Sequence, residues 1–315
     1  MATTAVAHPN IALIKYWGKQ ERAGNLPATP NLSITLDTLQ TETTIENAAD
    51  GQADTLFLNG EARQDAKVED FLKALRRKFV IPPLIIRSSN NFPTGAGLAS
   101  SASGFAALVT AINQHAQMGL NAEYLSEWAR LGSASAARSV LGGFVSLVPP
   151  LWRAAPAAPA DHWPLHTVVA VTSTAEKQIN STRGMGISRD TSPYYNAWVR
   201  GSGDDYAAAS MAIEQRDFDA LARVAEQNCL KMHSVMQTSQ PCLLYWNPAT
   251  VACMHTVQKL RAEGVEVFFT IDAGPQVKAI CSAAALAEVA AALQSIEGVI
   301  ETFTCGIGQG ARIIN

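Results

Sequence analysis

Residues 90–113 read NNFPTGAGLASSASGFAALVTAIN, and this stretch decides how the rest of the chain is interpreted. Its first half, at 94–103, is a loop of small residues rich in Gly and Ser. Its second half repeats apolar residues at helical spacing, at Phe105, Leu108, Val109 and Ile112. A Gly/Ser loop that enters a helix presents backbone N–H groups, hydroxyls and the positive end of the helix dipole together, and phosphate commonly binds there. Taken alone, such a stretch is more often a glycine-rich turn with a serine cap. Whether it binds phosphate must therefore be judged from other parts of the chain.

Length and composition limit the classes of protein that this chain can be. It has 315 residues, of which 48% are hydrophobic and 16% are charged. This length suits two domains or one large one, and the composition favours a large core over disorder. The formal net charge of −3 offers no basic footprint for nucleic acid, so an anionic ligand would need a local cationic pocket.

Targeting and redox signals favour a cytoplasmic protein. The sequence has no run of about 18 uncharged apolar residues, so no membrane span is predicted. The N-terminus lacks a basic region and carries Lys15 within its apolar run, which argues against a signal peptide. The five cysteines contain no C-x-x-C pair and are expected to be reduced thiols. Cys229 and His233 share a helix face. Two potential ligands are too few for a zinc site, so these residues are predicted to pack within the protein.

Periodicity along the chain predicts an α+β protein. Residues 5–16 predict one buried strand that ends in KYWGK at 15–19, and residues 178–189 predict a polar loop. Asn59-Gly60 predicts a hairpin turn. The Pro- and Ala-rich stretch at 149–164 predicts a domain boundary at its end. Further strands are predicted at 31–36, 41–46, 84–88, 143–148, 168–171, 265–271, 277–281 and 299–304, and further helices at 65–79, 121–131, 195–213, 218–232, 250–262 and 284–293.

Five motifs in one order give the chain a specific resemblance. They are NIALIKYWGK at 10–19, NNFPTGAGLASSAS at 90–103, GSASAARSVLGGFV at 132–145, NSTRGM at 180–185 and TIDAGP at 270–275. Together they resemble the mevalonate diphosphate decarboxylase family of the GHMP kinase superfamily. Because the motifs extend over nearly the whole chain, the resemblance is far more specific than a single glycine loop. It favours the phosphate-binding interpretation of the opening stretch.

The resemblance implies a fold and an activity. Residues 1–164 would form an ATP-binding domain like ribosomal protein S5 domain 2, and residues 165–315 would form a ferredoxin-like domain that completes the substrate cleft. The family consumes ATP to phosphorylate the tertiary 3-hydroxyl of mevalonate 5-diphosphate. Loss of phosphate and CO2 then leaves isopentenyl diphosphate. The resemblance also suggests a homodimer.

Three residues are expected to carry this chemistry. A tertiary alcohol is a poor leaving group, and its phosphorylation needs a base or an orienting carboxylate, for which the resemblance implies Asp272. Lys15 would lie beside Asp272, keep it ionised and offset developing charge. Arg138 would hold the substrate carboxylate, because guanidinium binds carboxylate through two hydrogen bonds.

Other residues are implied to bind the two substrates. The substrate-binding set is Tyr16, Trp17, Lys19, Ser133, Ser135, Arg138, Ser181 and Met185. The ATP-binding set is Asn90, Gly95, Ala96, Gly97, Leu98, Ala99, Ser100, Ser101 and Ser103. The sequence shows no carboxylate cage for a metal, so Mg²⁺ is expected to be held mainly by phosphates.

Departures from the family pattern leave alternatives open. Gly95 stands where these decarboxylases commonly have Ala, and many related kinases prefer Gly there. Further departures at Asn31, Ala134, Ala137 and Ser146-Leu147 leave the phosphate end of the substrate open. The chain could therefore act on mevalonate 5-phosphate or the 3,5-bisphosphate, or be a kinase that stops after phosphoryl transfer. The presence of both Lys15 and Asp272 argues against a kinase. A non-catalytic paralogue that binds nucleotide or metabolite is the alternative from another class.

Overall fold

The computed structural model describes residues 2–92, 100–175 and 177–314, and within these ranges the chain forms fourteen strands and nine helices. The strands are β1 (Thr3–Ala7), β2 (Asn10–Ile14), β3 (Asn31–Thr35), β4 (Thr41–Asn47), β5 (Thr55–Leu58), β6 (Glu61–Arg63), β7 (Leu84–Asn90), β8 (Phe144–Leu147), β9 (Ala154–Ala158), β10 (Leu165–Val171), β11 (Val267–Ile271), β12 (Val277–Ser282), β13 (Glu301–Cys305) and β14 (Arg312–Ile313). The helices are α1 (Ala66–Arg76), α2 (Ser100–His115), α3 (Ala122–Gly132), α4 (Ala136–Ser139), α5 (Ser181–Thr191), α6 (Tyr195–Gln215), α7 (Phe218–Gln237), α8 (Pro248–Ala262) and α9 (Leu286–Gln294).

The first sheet has the strand order β14-β1-β4-β7-β5-β6 and packs against helices α1, α2 and α3. The apolar face of α2 is buried here, including Phe105, Val109 and Ile112, as its helical spacing predicts. Arg312 of β14 pairs with Val6 of β1 in antiparallel orientation, so the last strand lies beside the first strand in this sheet.

The second and third sheets share one hydrophobic core. The second has the order β2-β3-β8-β9 and the third has the order β11-β12-β10-β13. Side chains from both sheets meet with α6 and α7 in a single buried cluster, which includes Leu13, Ile34, Val169, Leu221 and Phe268. This packing fixes the end of β2 relative to the end of β11.

Two sequence predictions concerning local structure are wrong. The segment predicted as one strand at 5–16 contains two strands, β1 and β2, which lie in different sheets. The strand is interrupted at His8-Pro9, because proline has no N–H to donate to a neighbouring strand. Residues 178–189 are largely helical rather than a loop. The side chain of Asn180 caps α5 by accepting a hydrogen bond from the N–H of Arg183, and Met185 packs inward.

The Pro- and Ala-rich stretch contains a strand that the sequence analysis did not predict. Strand β9 pairs with β8 at the edge of the second sheet, where Pro156 is tolerated. Local signals elsewhere are confirmed. The hairpin between β5 and β6 turns at Asn59 and Gly60, with φ of 50° and 86°, and the helix predicted at 65–79 is present as α1.

Candidate active site

A cavity of about 590 Å³ brings together residues from motifs that lie far apart in the sequence. Its walls come from the end of β2, one face of α1, the start of α2, the α3–α4 connection, the start of α5 and the turn after β11. The predicted residues that line it are Lys15, Tyr16, Trp17, Lys19, Ser100, Ser101, Ser133, Ser135, Arg138, Ser181, Met185 and Asp272.

A buried ion pair joins the two halves of the chain at this cavity. Nζ of Lys15 lies 2.7 Å from Oδ1 of Asp272, and the two side chains are 1% and 27% exposed. Lys15 directly follows β2, and Asp272 directly follows β11. Because the second and third sheets share a core, the strand ends that carry these two residues are held close together.

The Asp272 carboxylate is ionised in the folded protein. Burial by itself would raise its pKa, but the positive charges of Lys15 and Lys278 together hold the pKa well below its ordinary value. Nζ of Lys278 lies 3.3 Å from Oδ2, the oxygen that Lys15 leaves open. Asp272 therefore enters any reaction as a carboxylate that can accept a hydrogen bond.

This depressed pKa predicts a pH-dependent contribution of Asp272 to stability. The unfolded carboxyl titrates near its ordinary value of 3.8 and the folded one lower, so the contribution is complete above the unfolded pKa. It is lost as pH falls through the folded pKa. We expect the difference in free energy of unfolding between wild type and Asp272→Asn, measured in urea, to be constant above about pH 5 and to shrink on acidification. A difference that does not change with pH would contradict this electrostatic account.

Helix α7 holds the backbone on both sides of the ion pair. The side chain of Asn228 accepts a hydrogen bond from the N–H of Lys15 at 2.7 Å and donates to Asp205 at 2.8 Å. Cys229 and His233 both contact the backbone of Ile271, the residue before Asp272, at 3.2 Å each. The two residues that share a helix face therefore position a strand end.

The ionisation of this helix face agrees with a structural role. Burial lowers the pKa of His233 to about 3, so its ring is neutral and its Nε2–H donates to the Ile271 carbonyl. Burial likewise raises the pKa of the Cys229 thiol. Both groups are neutral near pH 7, and their hydrogen bonds to Ile271 are available over a wide pH range.

Arg138 is a buried cation held by neutral side chains. Its guanidinium donates to Oδ1 of Asn10 at 3.0 Å, to Oγ of Ser33 at 2.9 Å and to Asn31. Burial lowers its pKa to about 10, while Asp272 and Tyr16 oppose this shift, so it is charged near pH 7. In the described part of the chain no carboxylate pairs with it. An anionic ligand in the cavity would meet a cation that is already oriented.

Serine hydroxyls connect the start of α2 with the α3–α4 connection. Oγ of Ser101 lies 3.3 Å from Oγ of Ser133, which in turn lies 3.2 Å from Oγ of Ser135. Asn10 donates to the carbonyl of Ser135 at 2.9 Å and thereby ties this chain of hydroxyls to the Arg138 site. The hydroxyls are suited to donate to substrate oxygens.

The KYWGK segment contributes an aromatic and cationic wall. Lys19 donates to the hydroxyl of Thr182 at 3.3 Å, and burial lowers its pKa. The phenol of Tyr16 is buried, with no hydrogen-bond partner within residues 2–92, 100–175 and 177–314, and burial raises its pKa. A neutral, unpartnered phenol in a cavity wall is available to a polar ligand. Trp17 and Met185 pack together in one apolar cluster.

Gly18 allows this segment to turn, and its substitution should be more damaging than that of Gly24. Both have positive φ, at 117° and 103°, so Ala at either site should cost about 1–2 kcal/mol. At Gly18 the added Cβ would also overlap the phenol of Tyr195, whereas at Gly24 the nearest atom is 3.6 Å away. We therefore expect Gly18→Ala to lose about 1–3 kcal/mol more in urea unfolding. Equal losses would contradict the proposed packing.

Three lysines around the cavity were missed by the sequence analysis. Lys67 of α1 and Lys177 line the cavity, and Lys278 contacts Asp272 from β12. Lys177 donates to the carbonyl of Ala273 at 2.8 Å and to the hydroxyl of Ser181 at 3.4 Å. Burial, followed by the charge of Lys278, lowers its pKa. Hydrophobic periodicity identifies the polar face of α1 but not the cavity that this face borders.

Some residues predicted to bind ATP are not placed in the cavity wall. Gly95, Ala96, Gly97, Leu98 and Ala99 lie outside the described residues. Asn90 and Ser103 are not among the lining residues. Each contacts the hydroxyl of Thr41, at 2.6 Å in both cases. The predicted contacts of these two residues with ATP stay predictions.

The donors at the cavity fit a magnesium nucleotide. Lys19, Lys67 and Lys177 supply positive charge, and Ser100 and Ser101 supply hydroxyls at the start of α2. Within the described residues no group of three or more His, Cys, Asp or Glu could hold a metal. The donor set therefore suits a cation held by phosphate and hydroxyl oxygens rather than by a cage of protein carboxylates.

Among the helices of residues 2–92, 100–175 and 177–314, none has the length and apolar character needed to cross a membrane.

Comparison with known proteins agrees with this arrangement over both halves of the chain. Residues 7–149 match the diphosphomevalonate decarboxylase-like N-terminal domain, and residues 167–307 match the mevalonate 5-diphosphate decarboxylase C-terminal domain. The diphosphomevalonate decarboxylase of Ganoderma lucidum is 36% identical over 309 residues, covering 86% of this chain and 76% of that protein.

Solved structures match the fold as a whole. Mevalonate diphosphate decarboxylase from Staphylococcus aureus gives a TM-score of 0.93 at 34% identity, covering 100% of this chain and 98% of that chain. A structure of MDDEF in complex with MVAPP, AMPPCP and magnesium gives 0.92 at 34% identity, covering 100% and 99%. The predicted two-domain, α+β, GHMP-kinase-like fold is confirmed. The chain belongs to the diphosphomevalonate decarboxylase family.

Proposed function

We propose that this protein catalyses the ATP-dependent decarboxylation of mevalonate 5-diphosphate to isopentenyl diphosphate, with release of ADP, phosphate and CO2. The observation that carries the proposal is the Lys15–Asp272 ion pair at 2.7 Å, which shares one cavity with Arg138. A carboxylate to orient a hydroxyl and a cation to hold a carboxylate are the two groups that the reaction requires. The names of the relatives and the MVAPP-bound structure support this choice of substrate.

Asp272 and Lys15 would act in phosphoryl transfer. The 3-hydroxyl oxygen attacks the γ-phosphorus of ATP, the bond to the ADP oxygen breaks, and the hydroxyl proton passes to Asp272. Because two lysines keep the pKa of Asp272 low, the carboxylate is a weak proton acceptor, and its main contribution is to orient the hydroxyl. Lys15 offsets the charge that develops on the transferred group.

Arg138 would act in the breakdown of the phosphorylated intermediate. The C3–O bond breaks to release phosphate, and the bond from C2 to the carboxyl carbon breaks to release CO2. The electron pair of that second bond forms the new C=C bond. Arg138 holds the carboxylate in one orientation while its pKa of about 10 keeps it charged. Its contact must favour the transition state over the bound carboxylate.

The remaining residues would bind the ends of the two substrates. We assign the distal diphosphate to Tyr16 and Lys19, and other substrate oxygens to Ser133 and Ser135. Trp17, Ser181 and Met185 would line the substrate pocket. Ser100 and Ser101, together with residues 95–99, would bind the ATP phosphates. Mg²⁺, when bound, would neutralise charge on these phosphates.

A panel of three substrates tests the proposal against its alternatives. Purified protein is incubated with Mg-ATP and, separately, mevalonate, its 5-phosphate and its 5-diphosphate, and kcat/KM is determined from CO2 release. We expect the 5-diphosphate to be preferred. Preference for the 5-phosphate, or CO2 release in a further incubation with mevalonate 3,5-bisphosphate and no ATP, would favour the related decarboxylases. ADP without CO2 would indicate a kinase, and no turnover would indicate a binding protein.

We also propose a cytoplasmic homodimer with a domain boundary near residues 164–165. The cytoplasmic location is supported by five cysteines that are all free thiols. The boundary is supported by the gap between the two matched family domains, at 7–149 and 167–307. The dimer rests on the family resemblance. Sedimentation equilibrium of the full chain tests it, and a monomer mass would contradict it.

A further inference from the structure

Lys278 is a lysine in the interior of a sheet. It lies on β12, between β11 and β10, where it pairs with Thr270 on one side and Val169 on the other. The residue is 2% exposed. A buried ammonium is costly unless it is paired, and burial correspondingly lowers the pKa of Lys278. Its position therefore requires a specific anionic partner.

That partner is Asp272, which Lys278 and Lys15 contact on opposite oxygens. Nζ of Lys278 lies 3.3 Å from Oδ2, and Nζ of Lys15 lies 2.7 Å from Oδ1. Lys15 and Asp272 line the cavity, whereas Lys278 is not among the lining residues. Lys15 can therefore meet a bound substrate, while Lys278 contacts the cavity lining through Asp272.

Stability alone is a weak reason for this third charge. Buried ion pairs can often be replaced by apolar residues of similar size at little or no cost in stability. One lysine would already neutralise the Asp272 carboxylate. What the second lysine adds is geometric, since a carboxylate held through one oxygen can rotate about its Cβ–Cγ bond and one held through both cannot.

We propose that Lys278 is a positioning residue that fixes the plane of the Asp272 carboxylate for phosphoryl transfer. The inference rests on the role of Asp272 under the proposed function. A misplacement of about 1 Å in a reacting group can cost roughly 100-fold in rate. Substrate binding should change little, because Lys278 is not in the cavity wall.

Lys278→Met should therefore lower kcat by roughly 10- to 100-fold and leave the KM values for ATP and mevalonate 5-diphosphate within about twofold. Thr270→Val is the matched control, since it removes a buried polar group paired with Lys278 whose hydroxyl contacts Ala12 rather than Asp272. Its kcat should equal that of wild type. A fall in kcat for Thr270→Val like that for Lys278→Met would assign the effect to packing and overturn the inference.

A double-mutant cycle separates positioning from general damage. In the Asp272→Asn background, Lys278→Met should lower kcat by less than about twofold, because the carboxylate that it positions is absent. The same fold loss in both backgrounds would overturn the inference. If Lys278→Met fails to fold, Lys278→Arg takes its place, with the same expectation that its effect vanishes in the Asp272→Asn background.

The single variant Asp272→Asn distinguishes failure of this inference from failure of the proposed function. Near-normal turnover by Asp272→Asn would remove Asp272 from the mechanism, and the inference would fall with the proposed function. Loss of turnover in Asp272→Asn combined with additive effects of Lys278→Met would leave the proposed function intact and overturn only the role of Lys278.

Discussion

Asp272→Asn is expected to lower kcat for CO2 release by roughly 10²- to 10⁴-fold, the range for loss of a group that acts on a proton in the transition state. The amide keeps the size of the side chain but removes the negative charge that lies 2.7 Å from Lys15 and 3.3 Å from Lys278. It can no longer accept the hydroxyl proton. ATP binding, measured by calorimetry with a non-hydrolysable analogue, should change little.

Asp54→Asn is the matched control for this variant. Asp54 has the same side-chain exposure as Asp272, 27%, and it also forms an ion pair, with Arg76. It is not among the residues that line the cavity. We expect Asp54→Asn to reduce stability and to leave kcat unchanged. A similar fall in kcat for both variants would mean that loss of stability, rather than loss of the catalytic carboxylate, explains the effect.

Arg138→Gln is expected to cost about 2–5 kcal/mol in transition-state stabilisation, a loss in kcat/KM of roughly 30- to 5,000-fold. Glutamine removes the positive charge that the cavity presents to a substrate carboxylate. Arg138→Lys keeps the charge but loses the planar fork, and it should fall between wild type and Arg138→Gln. Initial rates at varied mevalonate 5-diphosphate and saturating Mg-ATP measure both effects.

Arg130→Gln controls for the removal of a buried arginine. Arg130 is 8% exposed, donates to the carbonyl of Trp152 and lies outside the cavity lining. We expect Arg130→Gln to lower the unfolding midpoint without raising KM for mevalonate 5-diphosphate. If Arg138→Gln behaved in the same way, Arg138 would not be the carboxylate site.

The sequence predicted twelve of the residues that line the cavity, because these residues lie within short family motifs. IKYWGK delivers Lys15 to a strand end, the GSASAARS segment places Arg138 on α4, and TIDAGP places Asp272 after β11. Local patterning also predicted the hairpin at Asn59-Gly60. It failed at His8-Pro9, because the apolar pattern continues there although proline interrupts the hydrogen bonding of the strand. It also failed at α5, because the polar composition of this segment does not reveal that it forms a capped helix.

What the sequence did not predict depends on contacts between distant residues. Asn228 supports Lys15 from 213 residues away, and His233 supports Ile271 from another element. In the sequence, Lys278 is one polar residue within an apolar strand. The hydrophobic pattern of a strand shows which side chains share a face of the sheet, but it does not show which partner a buried charge contacts. Such partners become visible only when the packing of α7 and β12 is known.

The stoichiometry of a single reaction tests the central claim most directly. The protein is incubated with Mg-ATP and mevalonate 5-diphosphate, and ADP and CO2 are measured in the same samples over time. If Asp272 and Lys15 phosphorylate the hydroxyl and Arg138 holds the carboxylate through breakdown, ADP and CO2 should appear in equal amounts. Formation of ADP without CO2, or of CO2 without ATP consumption, would contradict the account.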